Sequence, residues 1–154
     1  MRAFQKNKTA AFFGLMFAHA TNNLLNDYVD YTTGLDRDNY FRTRYGAHPL
    51  AAGLLSKAEY RHLILITGLL SLALAGLLSY IGGAPIAFFT LAGAILVLFY
   101  TYPLKRIALG ELAVLAAWGP LMVGGVYLLL HGTLPASVMW AGLVYGLGPT
   151  VVIF

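Results

Sequence analysis

The chain has 154 residues, of which 59% are hydrophobic and only 10% are charged. Because a soluble domain carries about 25% charged residues, this composition excludes an ordinary soluble protein and indicates an integral membrane protein. The basic residues behind the net charge of +4 are scattered and form no nucleic-acid motif, and the absence of cysteine excludes disulfides and thiolate metal sites. We therefore expect the lipid bilayer, and no nucleic acid, as a partner.

Apolar stretches predict an all-α integral membrane fold with about five transmembrane helices. Each stretch is long enough, as a helix, to cross a hydrocarbon core of about 30 Å. A hydrophilic loop at about 34–61, which we expect to be cytoplasmic, follows the first stretch. The predicted spans lie at about 9–31, 63–81, 86–102, 112–130 and 136–154.

The second half of the first span is unusually polar for a membrane helix. Four of the six carboxylates of the chain lie at its end or just beyond it, namely Asp27, Asp30, Asp36 and Asp38. A lipid-facing surface does not tolerate such side chains, so this face must look into a protein cavity. Carboxylates with neighbouring carboxamides suit a hard cation such as Mg²⁺, which usually also holds a substrate phosphate.

Helical spacing places these polar groups on one face. With a step of about 100° per residue and Asn23 at zero, Asp27 lies near +40°, Asn26 near −60° and Asp30 near −20°. Such a face can hold one or two cations. The alternative interpretation is a polar helix end that makes only caps and surface ion pairs.

The hydrophilic segment contains a helix start and two candidate phosphate ligands. Ser56-Lys57-Ala58-Glu59 has the S-x-x-E form of a capping box, which predicts that a helix begins there. Arg42 and Arg44 are candidate diphosphate clamps, since a guanidinium group matches phosphate oxygens bidentately. They are equally well explained as positive-inside anchors.

A second polar segment, Tyr100–Glu111, follows the third span and by parity lies on the same side of the membrane as the Asp residues. Arg2, Lys6 and Lys8 lie on the opposite side and disagree with this assignment; one explanation is that a preceding helix is missing. The positive-inside rule thus places the Asp residues in the cytoplasm. The seven basic residues on their side are Arg37, Arg42, Arg44, Lys57, Arg61, Lys105 and Arg106.

The pattern Asn26-Asp27-x-x-Asp30-x-x-x-Gly34-x-Asp36 resembles the first aspartate motif of the UbiA superfamily of intramembrane prenyltransferases, usually N-D-x-x-D-x-x-x-D. The G-x-D ending resembles the 1,4-dihydroxy-2-naphthoate branch, which makes the menaquinone ring system. Three downstream segments resemble the same branch: Tyr100-Thr101-Tyr102-Pro103-Leu104-Lys105, Leu109-Gly110-Glu111-Leu112-Ala113-Val114 and Gly119-Pro120-Leu121.

The resemblance implies a prenyltransferase of a bacterial or archaeal cell membrane that moves a polyprenyl group from a polyprenyl diphosphate to an aromatic acceptor. Asp27 and Asp30 are the implied catalytic residues. The family usually has two residues between its Tyr-Pro pair and its Lys-Arg pair, and this chain has one. The implied Mg²⁺ ligands are Asn26, Asp27, Asp30 and Asp36, and the expected diphosphate-binding residues are Asn23, Arg42, Arg44 and Lys105.

Other interpretations stay open at this point. The G-x-D variant favours 1,4-dihydroxy-2-naphthoate as the acceptor, and 4-hydroxybenzoate or another acceptor is the alternative. The family carries a second aspartate motif on a later helix, and this motif is not found here. We therefore expect an internal fragment or a truncated protein. In one interpretation, this fragment has no activity by itself. A transporter element with an ion site is the non-enzymatic alternative. A CDP-alcohol phosphotransferase is disfavoured because its D-G-x-x-A-R opening is absent.

Overall fold

A computed structural model describes residues 2–34 and 48–152, with side chains described within 7–34 and 48–151. These residues are almost entirely helical and contain no β-strand, which confirms the predicted all-α class. The helices are α1 (Arg2–Thr33), α2 (Lys57–Phe99), α3 (Gly110–Ala116), α4 (Gly125–His131) and α5 (Ala136–Val152), with a 3₁₀ turn at Leu104–Ile107 and a π-helical segment at Ala117–Gly124.

Helix α2 begins at the predicted capping box. The backbone N–H of Glu59 donates to the Ser56 hydroxyl at 3.2 Å, and the Glu59 carboxylate accepts the backbone N–H of Ser56 at 2.8 Å. Each bond satisfies a donor that a helix start otherwise leaves without a partner, and an N-cap of this kind contributes about 1 kcal/mol. The helix start predicted from the sequence is confirmed.

Helix α2 folds back on itself at Gly83, whose backbone has φ 71° and ψ −165°. The hydroxyl oxygens of Ser79 and Thr90 lie 2.8 Å apart, although eleven residues of straight helix would separate them by about 16.5 Å. The positive φ is accessible to glycine, and Pro85 follows it. Helix α2 is therefore a hairpin with a first arm (57–82) and a second arm (84–99), and the turn predicted at 82–85 is confirmed.

Helix α1 packs antiparallel to the first arm of α2. The Thr21 hydroxyl donates to the Thr67 hydroxyl at 3.0 Å, and the Ser71 hydroxyl donates to the carbonyl of Gly14 at 3.3 Å. Higher-numbered residues of α1 thus meet lower-numbered residues of α2. This register brings the polar end of α1, around residue 27, beside the start of α2.

Large apolar side chains cover the outside of the helices. Soluble proteins rarely expose apolar surface on this scale, whereas a lipid-facing surface requires it. By length and composition, α2 and the helical stretch at 110–131 are long and apolar enough to cross a membrane, and α5 is apolar but shorter. The count of about five spans stays a prediction. Examples on α2 are Leu65, Leu69, Leu72, Phe88, Leu91 and Leu98.

The stretch at 110–131 is broken at Gly119, whose ψ of −109° is not helical. The break lies inside the span predicted at about 112–130, which stays a prediction. Pro120 has no N–H to donate to the preceding turn, so the backbone loosens into the π-helical segment.

Helix α5 crosses this break at backbone contact. A Cβ on Gly119 would lie 2.8 Å from the carbonyl oxygen of Gly142, and a Cβ on Gly146 would lie 2.8 Å from that of Leu115. Side chains at these positions would force the helices apart, and small residues at membrane helix crossings serve this close approach. We call Gly119, Gly142 and Gly146 the glycine crossing.

Candidate functional site

Lys105 joins the two polar segments of the chain. Its ammonium nitrogen Nζ lies 2.8 Å from Asp30 Oδ2 and 3.1 Å from Asn26 Oδ1. Asp30 is only 4% exposed, and a buried carboxylate needs such a partner. Residues separated by 75 positions or more along the chain therefore meet in one charged contact.

The short turn after α2 fixes the backbone position of Lys105. Its backbone N–H donates to the carbonyl of Tyr100 at 2.8 Å, and the N–H of Leu109 donates to the carbonyl of Leu104 at 2.9 Å. Gly110 packs against this turn, since a Cβ there would lie 3.5 Å from Lys105 Cα. The backbone of the turn is thus held in place, and the flexible Lys105 side chain reaches α1 from it.

Asp27 is held from another direction. The hydroxyl of Tyr60 donates to Asp27 Oδ2 at 3.2 Å, and Tyr60 is only 2% exposed. The rings of Tyr28 and Tyr60 stack with centroids 6.5 Å apart, and Arg61 Nη1 donates to the Tyr28 hydroxyl at 3.3 Å. The start of α2 therefore orients one carboxylate of α1 while Lys105 contacts the other.

The polar face of α1 continues one turn further towards the middle of the helix. Asn23 Nδ2 and His19 Nε2 lie 3.3 Å apart, and the His19 ring meets the Trp118 ring edge-on at 5.0 Å between centroids. Asn23 therefore lies one turn from Asn26 on the same face, and its described side-chain hydrogen bond is to His19. His19 is thus hydrogen-bonded to Asn23 of the same helix.

Aromatic and basic groups line the other side of the helix end. The Tyr31 ring lies 5.8 Å from the His48 ring, and Lys57 Nζ lies 5.6 Å from the centroid of the Tyr31 ring. His48 is buried and accepts the backbone N–H of Ala51 through Nδ1 at 3.3 Å. These contacts pack residues 48–57 against the end of α1.

The structure brings together part of the predicted site. Asn26, Asp30 and Lys105 form one contact, and Asp27, which follows Asn26 in the chain, accepts the hydroxyl of Tyr60. Asp36, Arg42 and Arg44 lie outside the described residues. We call Asn26, Asp27, Asp30, Tyr60 and Lys105 the polar cluster.

Sequence reasoning missed Tyr60, the most deeply buried large side chain among the described residues. A tyrosine near the start of a membrane helix is normally read as part of the interfacial aromatic belt. The signal that distinguishes it is the antiparallel pairing of α1 with α2, which places residue 60 opposite residue 27. That pairing follows from contacts across the two helices and not from local sequence.

No group of three or more His, Cys, Asp or Glu side chains in residues 2–34 and 48–152 is placed to hold a metal ion. The predicted Mg²⁺ set includes an asparagine, and its fourth member, Asp36, is beyond those residues. The oxygens present nevertheless fit a hard cation. Asn26 Oδ1 and Asp30 Oδ2 already converge on a single ammonium group, and both are ligand types that Mg²⁺ accepts.

Comparison with known proteins gives one match. The model of the UbiA prenyltransferase family matches residues 6–154. No curated protein matches the chain, and no solved structure does. Because the family match covers nearly the whole sequence, the chain belongs to the UbiA prenyltransferase family, whose members are membrane-integral enzymes that transfer prenyl groups.

Proposed function

We propose that this protein transfers a polyprenyl group from a polyprenyl diphosphate to 1,4-dihydroxy-2-naphthoate, with Mg²⁺, in menaquinone biosynthesis. The contact of Lys105 with Asn26 and Asp30 carries the proposal, because it joins the residues expected to bind metal with a residue expected to bind diphosphate. The family membership supports prenyl transfer to an aromatic acceptor. The naphthoate acceptor is supported by the Gly34-x-Asp36 ending of the motif.

The oxygens of Asn26, Asp27 and Asp30 would hold the metal, with Asp36 as the fourth ligand proposed from the motif. Bound there, Mg²⁺ supplies Lewis-acid stabilisation of the diphosphate leaving group. Tyr60 holds one oxygen of Asp27, so that this carboxylate keeps its orientation. The rotation of the Asp27 carboxylate is therefore limited before any substrate binds.

Lys105 supplies a positive charge to the diphosphate oxygens as the bond to the prenyl carbon breaks. The electron pair of the allylic C–O bond leaves with the diphosphate and the acceptor ring attacks the resulting carbocation. The ring regains its aromaticity by losing a proton, or carbon dioxide where the attacked carbon bears the carboxylate. Positive groups aimed at the developing oxyanion charge stabilise such a step. Asn23, Arg42 and Arg44 are proposed as further contacts to the diphosphate.

Aromatic rings near the polar cluster can shelter the carbocation. The Tyr28 and Tyr31 rings lie on the same helix end as Asp27 and Asp30, and Lys57 already lies 5.6 Å from the Tyr31 centroid. A cation over an aromatic face is stabilised by about 0.5–2 kcal/mol. We place this end of α1 on the cytoplasmic side, supported by the distribution of basic residues.

Metal-dependent binding of a non-ionising prenyl thiodiphosphate tests the proposal most directly. The chain in lipid nanodiscs is titrated with the analogue in Mg²⁺ and after chelation with EDTA. We expect binding only with Mg²⁺, and loss of binding in Asp30→Asn. Turnover of a prenyl diphosphate with 1,4-dihydroxy-2-naphthoate or with 4-hydroxybenzoate then identifies the acceptor, and we expect product with the former.

Glu59→Gln is the matched control, because it removes an exposed carboxylate while glutamine still completes a capping box. It should bind the analogue as the wild type does. Analogue binding that survives EDTA or Asp30→Asn would contradict the proposed site. Cation binding without any diphosphate binding would favour the transporter alternative.

A further inference from the structure

The ammonium group of Lys105 lies where a metal ion bound by Asn26 and Asp30 would lie. Its ammonium nitrogen lies within hydrogen-bond distance of both Asn26 Oδ1 and Asp30 Oδ2, at 3.1 and 2.8 Å. Asp30 is almost fully buried, so its charge is compensated mainly by this contact among the described residues. The lysine thus acts as the cation of the site in the structure described.

An ammonium group and a metal ion cannot use these oxygens together. Mg²⁺ requires oxygens at about 2.0–2.1 Å, which would bring it to within a few ångströms of the ammonium nitrogen. Two cations at that separation repel each other strongly when water is partly excluded. Metal binding to Asn26 and Asp30 therefore requires the ammonium group to leave.

The structure allows the side chain to leave while the turn stays. Lys105 has a flexible four-carbon stem, and its side chain is 38% exposed even with the ion pair made. Its backbone is fixed by the hydrogen bond to Tyr100 and by the packing of Gly110. Only side-chain rotation is needed to move the charge from Asp30 to a neighbouring anion.

We propose that Lys105 is a displaceable internal counter-ion, which neutralises Asp30 in the metal-free protein and transfers to the diphosphate when metal and diphosphate enter together. The inference rests on the proposed function, since it takes Asn26 and Asp30 as metal ligands. Metal alone must compete with Lys105, whereas metal with diphosphate gives Lys105 a new partner. Metal and diphosphate therefore bind with positive coupling, which by linkage is reciprocal.

Binding measurements in nanodiscs with Mn²⁺, a paramagnetic substitute for Mg²⁺, distinguish this role from others. Lys105→Gln removes the charge but retains a hydrogen-bond donor for Asp30. We expect it to tighten the binding of Mn²⁺ alone by about tenfold, within the usual range of coupling between sites. The same variant should weaken the binding of a prenyl thiodiphosphate at saturating Mn²⁺ by about tenfold.

Two further variants isolate the effect of the charge. Lys105→Arg keeps a cation and should leave the binding of Mn²⁺ alone as weak as in the wild type. Arg106→Gln removes the neighbouring charge, which lies over the Tyr102 ring at 5.3 Å, and should change the binding of Mn²⁺ by less than about twofold.

The signs of the two effects decide the outcome. If Lys105 is purely structural, its replacement should weaken the binding of Mn²⁺ alone and of the thiodiphosphate. If Lys105 is only a diphosphate ligand, its replacement should change only the binding of the thiodiphosphate. Either result overturns the inference and leaves the proposed function standing. A wild type that does not bind the thiodiphosphate in a metal-dependent way overturns both.

Chemical labelling of the wild type gives an independent measurement that needs no variant to fold. Release of the ammonium group should increase reductive methylation of Lys105, followed by mass spectrometry, when Mn²⁺ is added alone. Addition of the thiodiphosphate should then lower the labelling. Labelling of Lys105 that does not change at saturating Mn²⁺ would overturn the inference.

Discussion

The polar cluster and the glycine crossing hold helices together by opposite means. In the polar cluster, long side chains reach across gaps between elements and meet through charge and hydrogen bonds. In the glycine crossing, side chains are absent and the backbones touch directly. The first region is sensitive to charge and hardly to volume, and the second is sensitive to volume and hardly to charge. We therefore expect variants in the two regions to separate activity from stability.

The largest expected effect is on activity, from Asp30→Ala in the polar cluster. It removes a proposed metal ligand and the partner of Lys105. Loss of a group that stabilises developing charge typically lowers turnover by about 10²–10³-fold. Transfer assays on purified protein measure this, with Glu59→Gln as the control. Because the expected loss is so large, turnover of Asp30→Ala within about threefold of the wild type would refute Asp30 as a metal ligand. Asp27→Ala should behave in the same way.

The next effect is on stability, from Gly146→Ala in the glycine crossing. The new Cβ would lie 2.8 Å from the Leu115 carbonyl oxygen and 3.0 Å from the backbone of Gly119, so α5 must shift. We expect a loss of about 1–3 kcal/mol, as for other overpacked interfaces. Thermal unfolding in detergent measures it.

Gly148→Ala is the matched control, because it lies on the same helix and a Cβ there meets nothing within 4 Å. It should leave the melting temperature unchanged or raise it. Equal losses in the two variants would show that helix α5 does not cross at Gly146.

A smaller effect is expected from Tyr60→Phe, which tests how the two carboxylates of the polar cluster differ. The variant deletes the hydroxyl that donates to Asp27 Oδ2 and keeps the ring that stacks on Tyr28. A hydrogen bond to a charged group contributes about 1.5–3 kcal/mol. Metal-dependent binding of the thiodiphosphate should weaken by roughly tenfold, since 1.4 kcal/mol corresponds to that factor. Tyr80→Phe, at an 89% exposed position of the same helix, should change nothing.

The smallest effect is expected from Ser56→Ala, which touches neither region directly. It removes the N-cap of α2, at a cost of about 1 kcal/mol in unfolding free energy. Ser56→Asp keeps an N-cap oxygen and should retain the stability of the wild type. A change in thiodiphosphate affinity larger than that of Tyr60→Phe would mean that the cap positions the polar cluster.

Local sequence rules predicted much of the fold and part of the site. The capping box at Ser56 and the turn at Gly83 each depend on neighbouring residues, so spacing and composition were sufficient to predict them. The single polar face of α1 stays a prediction. Lys105 was placed near the Asp residues by membrane sidedness and family resemblance. Sidedness gives only the side of the membrane and the resemblance gives only a role in diphosphate binding, whereas the described partners of Lys105 are Asn26 and Asp30.

The remainder depends on contacts between distant segments. Tyr60 was not identified because its importance follows from the register of α1 against α2. The break at Gly119 was not predicted, because an apolar run with one proline still has the pattern of a membrane span. The backbone contacts of Gly119 with Gly142 and Gly146 join segments that are distant in the sequence. Such features arise from the packing of one helix on another and not from the pattern within either.

The brevity of the turn that carries Lys105 has a consequence for engineering. The turn is anchored by the hydrogen bond to the Tyr100 carbonyl and by the packing of Gly110. A single residue, Leu104, separates Pro103 from Lys105. One inserted residue lengthens the backbone by up to about 3.5 Å, more than the ion pair can absorb without rebuilding the turn. Chimaeras that replace this segment should therefore match the spacer length first and the side-chain identity second.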